Sequence, residues 1–100
     1  MKIAILLASY KGENYIREQI QSLLEQTVTD TKILIRDDQS PDSTFEIEQE
    51  FEKNYPDKIK VMRRTEGKGG SKENFWALCQ EAVKMDADYF MFCDQDDVWN

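Results

Sequence analysis

The sequence has no histidine, so imidazole ligation and histidine-based acid–base chemistry are excluded within these residues. Cysteine is scarce. Cys79 and Cys93 each stand inside an apolar segment, far from any paired-thiol spacing. They read as buried thiols of a reducing compartment, and not as a zinc site or a disulfide framework. Basic residues are outnumbered, 13 against 20 acids, for a net charge of −7. That balance excludes nucleic-acid binding through a broad basic face, and a bound anion would need local help from a metal or from backbone N–H groups. No apolar run is long enough to span a membrane. Met1-Lys2 leads straight into a short apolar stretch with no small-residue cleavage site after it, which argues against a signal peptide. Repeats and low-complexity tracts are also missing. One hundred residues make one domain or part of one.

What is present is concentrated at the end. Five apolar or aromatic residues run from Tyr89 to Cys93, and the carboxylates Asp94, Asp96 and Asp97 follow within four positions. A short aromatic-rich run of this kind predicts a strand buried on both faces, in the middle of a sheet. Its C-terminal end would deliver the acids to the sheet's rim, where open α/β sheets bind ligands. Clustered carboxylates that stay ionised call for a cation, and an oxygen-only donor set favours Mg²⁺ or Mn²⁺. The same acids also suit a solvated turn ahead of a helix. The chain stops at Trp99-Asn100, directly after this motif, and is expected to be a truncated piece of a longer domain.

Taken in order, Ile3 to Ala8 is a continuous apolar run that fits a central parallel strand. Ser9-Tyr10-Lys11-Gly12 makes a turn, and a helix is predicted from about Glu13 to Gln26, with Ile16, Ile20, Leu23 and Leu24 at helical spacing. A second strand, Lys32 to Arg36, ends in the acidic pair Asp37-Asp38. Ser43 with Glu46 predicts a capping box for a helix over Thr44 to Asn54, whose apolar stripe of Ile47 and Phe51 is thin. Ile59 to Met62 reads as a third, more exposed strand. The polar stretch Arg63 to Lys72 holds three of the four glycines, but its spacing fails that of a P-loop. Ser71 is a candidate cap for a helix carrying Phe75, Leu78, Cys79 and Ala82.

The resulting order, β-α-β-α-β-α-β, predicts an α/β fold: a Rossmann-like, mostly parallel sheet flanked by helices, as one unit over residues 1–100. The first turn lacks G-x-G-x-x-G, which disfavours NAD or FAD. A receiver-like signalling module would place its acidic pair after the first strand, which here ends in Ala8-Ser9. A nucleotidyltransferase would carry a basic, Gly-rich loop there, for which Lys11-Gly12 is a poor substitute.

Four segments together resemble family-two glycosyltransferases. Leu7-Ala8-Ser9-Tyr10-Lys11-Gly12-Glu13 with Ser22 to Thr27 is similar to that family's opening, strand, Thr/Ser-Tyr-Asn-Gly-Glu, helix, Ser-Leu-Leu-x-Gln-Thr. Asp37-Asp38-Gln39-Ser40 with Asp42 and Thr44 is similar to its Asp-Asp-Gly-Ser-x-Asp-x-Thr segment. Gly70 to Phe75 resembles its glycine loop entering a helix, and Asp94-Gln95-Asp96-Asp97 its Asp-x-Asp-Asp signature. The match runs through essentially the whole chain, and departs where Lys11 replaces Asn and Gln39 replaces Gly.

The resemblance implies a GT-A fold of the nucleotide-diphospho-sugar transferase type. It implies transfer, with inversion, from a UDP- or dTDP-linked sugar to a saccharide or lipid-linked acceptor, in cell-surface polysaccharide synthesis. Tyr10 and Asp38 would contact the base, with Ser9 and Asn74 in the same substrate-binding set; an aromatic face stacks on a base and a carboxylate accepts from a ring N–H. Equally, Tyr10 could be a turn residue packed under a loop, Asp38 a helix-entry acid, and Asn74 part of a helix cap. Asp94 would lie near the donor's sugar–phosphate, and Asp96 would hold Mn²⁺ or Mg²⁺. The general base is expected beyond residue 100, so these residues alone should bind donor without transferring sugar. Asp38 is expected at the rim, where its loss should leave the free protein's stability nearly unchanged. The last strand's free edge is expected to drive self-association. A cytoplasmic location is expected, at the inner face of the membrane for a lipid-linked acceptor.

Overall fold

A computed structural model describes residues 2–26, 31–63 and 69–94, apart from the side chains at positions 26, 71 and 94. Seven elements follow one another: β1 (Ile3–Ser9), α1 (Ile16–Gln26), β2 (Thr31–Asp37), α2 (Thr44–Asn54), β3 (Ile59–Arg63), α3 (Ser71–Ala82) and β4 (Tyr89–Asp94). The strands form one sheet in the order β3-β2-β1-β4, and every neighbouring pair is parallel. The predicted α/β, Rossmann-like architecture is what the chain adopts.

The two central strands are the ones with continuous apolar runs, because each must satisfy a layer on both faces. Successive side chains point to opposite sides. Ile5, Leu7, Ile33 and Ile35 therefore pack with Ile16, Ile20 and Leu23 of α1 and Phe51 of α2. Ala4, Leu6 and Leu34 meet Leu78 and Ala82 of α3 on the other face. The connection from β3 to β4 crosses the sheet, so the chain winds one way through β1, β2 and β3 and then returns to the far side of β1. The strand order reverses between β1 and β4, and the carboxyl ends there form the crevice in which this fold class binds ligands.

Three expectations are corrected. β4 is an edge strand among the described residues, with β1 on one side only, and Tyr89, Phe90, Met91 and Phe92 are 40–58% exposed. Its residues ask for cover on both faces, yet the described residues supply little beyond Phe75, whose ring centre lies 4.5 Å from that of Phe92. Of the described side chains of β4, only Cys93 is buried.

The capping box is not made: Ser43 forms no side-chain cap bond. Its N–H instead donates to Glu13 Oε2 at 3.0 Å, and the Thr44 N–H donates to Asp42 Oδ1 at 3.0 Å. Glu13 precedes α1, whose entry is a turn in which Gly12 O accepts from Tyr15 N and Ile16 N. Gly70, not Ser71, occupies the cap position of α3, with a φ of 117° that only glycine adopts readily.

Candidate functional site

Strand register decides which residues meet. Ser9 of β1 pairs with Asp37 of β2, Asp37 pairs with Arg63 of β3, and Ala8 pairs with Asp94 of β4. Ser9, Asp37, Arg63 and Asp94 are thus delivered to one rim, and the loops after them carry Tyr10 and Asp38. Asp96 and Asp97 lie outside the described residues, as does the side chain of Asp94.

Asp37 organises this rim, a role that its place in the sequence did not reveal. It is fully buried. Its Oδ2 accepts from Ser40 N at 2.8 Å, its Oδ1 accepts from the Ser40 hydroxyl, and Arg63 Nε lies 3.5 Å from Oδ2. Arg63 Nη2 also donates to Ser40 O at 3.3 Å, and the guanidinium lies 4.6 Å from the centre of the Phe45 ring. The loop after β1 is tied to the same segment: Lys11 N donates to Ser40 Oγ at 3.0 Å, and Gly12 N to Thr44 Oγ1 at 2.8 Å. Asp42 takes the Thr44 hydroxyl at 2.5 Å. Partial burial pushes the Asp42 carboxyl upward, but the Thr44 hydroxyl and N–H, with further backbone contacts, outweigh it and hold the group below the usual carboxylate range.

These ties create two left-handed backbone positions, Lys11 (φ 53°) and Gln39 (φ 54°). Both are places where the chain departs from the glycosyltransferase motifs, which have Asn and Gly there, residues suited to such angles. At both positions the chain carries a residue that fits a left-handed angle less well.

The expected site residues divide into two groups. Tyr10 is 43% exposed at the rim, with Lys11 Nζ 5.4 Å from its ring centre. Asp38 stands beside it, its N–H bonded to Ser9 O at 3.0 Å. Asp38 is buried and its Oδ2 accepts from Gly70 N at 2.7 Å, linking the rim to the entry of α3. The expectation that its loss would leave the free protein nearly unchanged is therefore corrected, because a buried carboxylate here satisfies a backbone donor.

Ser9 and Asn74 turn inward. Ser9 Oγ donates toward Arg36 O and Asp37 Oδ1, each at 3.4 Å. Asn74 is buried; its Oδ1 accepts from Arg36 Nη1 at 2.8 Å, and its Nδ2 donates to Arg36 O at 3.0 Å and Ser9 O at 3.5 Å. Its amide clamps α3 to the ends of β1 and β2.

Among the described residues no three acidic side chains come close enough to hold a metal ion. The register sets the end of β4 beside Ala8, one residue before the end of β1, and Asp96 and Asp97 follow outside the described residues.

The profile described as Glycosyl transferase family 2 matches residues 4–100. The dTDP-rhamnosyl transferase RfbG of Shigella flexneri is 40% identical over 93 residues, covering 93% of this chain and 32% of that protein. The poly(ribitol-phosphate) beta-glucosyltransferase of Bacillus spizizenii is 35% identical over 97% of this chain and 15% of its own length. The chain thus spans less than a third of the length of these two relatives. Among solved structures, the mannosyltransferase PcManGT from Pyrobaculum calidifontis, in complex with GDP-Man and Mn²⁺, superposes with a TM-score of 0.78 at 19% identity, over 98% of this chain and 28% of that one. S. aureus TarS 1-349 gives 0.76 at 25% identity, over 100% of this chain and 29% of its own. By sequence and fold alike, the chain belongs to glycosyl transferase family 2.

Proposed function

We propose that this chain forms the donor-nucleotide part of an inverting glycosyltransferase that takes a dTDP- or UDP-linked sugar and serves cell-surface polysaccharide synthesis. The observation that carries the reading is that the exposed Tyr10 and the Asp38 carboxylate follow directly on Ser9 and Asp37, the paired last residues of adjacent strands. The ring offers a face for a pyrimidine base. The carboxylate, which has room for more than one donor, accepts from the base N–H as well as from Gly70 N. Ser9, Asn74 and Asp37 hold those two groups in place from beneath. The RfbG relative is a dTDP-rhamnosyl transferase, TarS has been solved with UDP-GlcNAc, and the relative GgaA of Bacillus subtilis is a minor teichoic acid biosynthesis protein. Those names support the donor class and the polymer context assigned here.

Asp96, with Asp94 beside the sugar–phosphate, would hold Mn²⁺ or Mg²⁺. When bound, such an ion supplies Lewis-acid stabilisation of the charge that builds on the leaving diphosphate. The chain's own residues bind and orient the nucleotide, and none of the described acids is assigned as the base for the saccharide or lipid-linked acceptor. In this reading the 100 residues bind donor but do not transfer it. The exposed flank of β4 self-associates, and the protein works in the cytoplasm, at the inner membrane face where the acceptor is lipid-linked. Cys79 and Cys93, which are not joined in a disulfide, suit that reducing compartment.

A thermal-shift panel of dTDP, UDP, GDP and CDP, each with Mn²⁺, Mg²⁺ or chelator, tests the reading. A pyrimidine diphosphate should raise the melting temperature only with a divalent ion. At a hundred times its dissociation constant the gain corresponds to about 2.7 kcal/mol. Equal shifts in chelator, or a response to none of the four, would overturn it.

A further inference from the structure

The segment 37–44 rests on a carboxyl group that the pocket itself does not use. Glu48 lies one turn after Thr44 on the buried side of α2, and is 0% exposed. Neither of its oxygens accepts a hydrogen bond. The charged groups acting on it are Asp37 from β2 and Asp42 from the loop, both acids. The neighbouring elements bring no compensating cation among the described residues. Arg63 of β3 is engaged by Asp37 and Ser40 O, and Arg17 of α1 lies 3.6 Å from Glu50 on the surface. An ionised Glu48 would place a buried negative charge beside the buried Asp37 and the half-buried Asp42. Among the described residues no group of three acids has the geometry for a metal ion. A proton is what remains.

Burial drives this carboxyl upward; the Ser9 hydroxyl opposes that, and Asp37 and Asp42 add to it, leaving the group at about 8 instead of the ordinary 4.5. Toward an ionised Glu48 the Ser9 hydroxyl would turn to donate; with Glu48 neutral its single proton stays directed toward Arg36 O and Asp37 Oδ1, and it offers Glu48 a lone pair. A neutral Glu48 is then the donor in a chain that runs through Ser9 to Asp37 and Ser40.

We propose that Glu48 is a positioning residue that works as a neutral acid: its carboxyl O–H donates to Ser9 Oγ, and through Ser9 and Asp37 it fixes the segment that carries Asp38. Loss of that proton converts a brace into a third like charge and loosens the segment. The consequence for binding rests on the nucleotide reading above; the bracing does not.

The two are separated by one set of samples. Carbon-13 spectra of the wild-type chain and of Glu48→Gln, recorded between pH 6 and 10, follow the Glu48 Cδ and the backbone carbonyls of residues 37–40. In the wild type all should titrate together, with a midpoint far above the ordinary glutamate range, while the carbonyls of Glu48→Gln stay flat, because an amide still donates to Ser9 without titrating. A Cδ midpoint in the ordinary range overturns the proposal, and so do carbonyls that respond alike in both proteins. Should the variant not fold, the wild type alone decides: joint titration of Cδ and carbonyls supports the brace, and separate titration overturns it. Calorimetry of dTDP with Mn²⁺ on these samples should show wild-type affinity falling roughly tenfold between pH 7 and pH 9 relative to Glu48→Gln. Equal loss in the two proteins would refute the link to the pocket. Absence of dTDP and UDP binding at pH 7 in both would refute the nucleotide reading, while the carbonyl comparison still decides the role of Glu48.

Discussion

Replacing Glu48 by Gln should stabilise the protein, and by an amount that depends on pH. In the unfolded chain the carboxyl titrates near 4.5, and in the folded protein near 8. Between those values the folded state holds a proton that the unfolded state has released. Stability therefore falls as pH rises through that window, and levels off above it. At 1.36 kcal/mol per unit, the loss is about 3 kcal/mol by pH 7 and about 5 kcal/mol above pH 8. A domain of this size has only about 5–15 kcal/mol in all, so the wild type should approach its threshold at alkaline pH. The amide matches the acid in size, keeps a donor for Ser9 and carries no titration. Urea unfolding of both proteins at pH 5, 7 and 9 should show nearly equal stabilities at pH 5. The gap should then open in favour of Glu48→Gln to about 3 and about 5 kcal/mol. Parallel profiles would refute the reasoning, since they would mean that Glu48 is ionised in the folded protein or is not buried beside Asp37.

Other substitutions probe the rim. Asn74→Ala should cost about 2–3 kcal/mol in urea melts, because it leaves the Arg36 guanidinium and a backbone carbonyl without their partner; a change within roughly 0.5 kcal/mol, the range of ordinary surface substitutions, would show that the clamp is dispensable. Gln39→Gly should raise stability by about 1 kcal/mol, or roughly 4–8 °C in melting temperature, by relieving a left-handed residue; a loss would mean that the Gln39 side chain makes a compensating contact. Phe90→Lys with Met91→Lys should suppress concentration-dependent self-association in light scattering, since edge charges block strand pairing; unchanged association would move the contact away from β4.

Much of the fold was legible because the central strands need apolar residues on both faces, and Ile3 to Ala8 and Ile33 to Ile35 supply them without interruption. The α1 stripe was equally plain, with Ile16, Ile20 and Leu23 all buried where helical spacing puts them. The position of β4 was not legible, since an edge is a property of the topology and not of the strand's own residues. Caps misled for a related reason. Ser43 and Glu46 form a local pattern, but Ser43 N finds Glu13, 30 residues earlier, which no short-range rule anticipates. Of the site, the departures at positions 11 and 39 were visible in the sequence, but that both positions are left-handed is read only from the backbone. Glu48 was missed because a charged residue reads as solvent-facing. The signal for it was spacing, four after Thr44 and three before Phe51, which sets all three on one buried face.

At the centre of the proposed function, a pyrimidine nucleotide sits between Tyr10 and Asp38. Amide chemical shifts of the 100-residue chain, followed during titration with dTDP and then UDP in the presence of Mg²⁺, test this directly. Perturbations should concentrate on Tyr10, Lys11, Asp38, Gln39 and Gly70, and Asp38→Asn should weaken binding by about tenfold or more, the loss of one charge-assisted hydrogen bond. Saturable binding whose perturbations fall elsewhere, with Tyr10 and Asp38 unmoved, would contradict it.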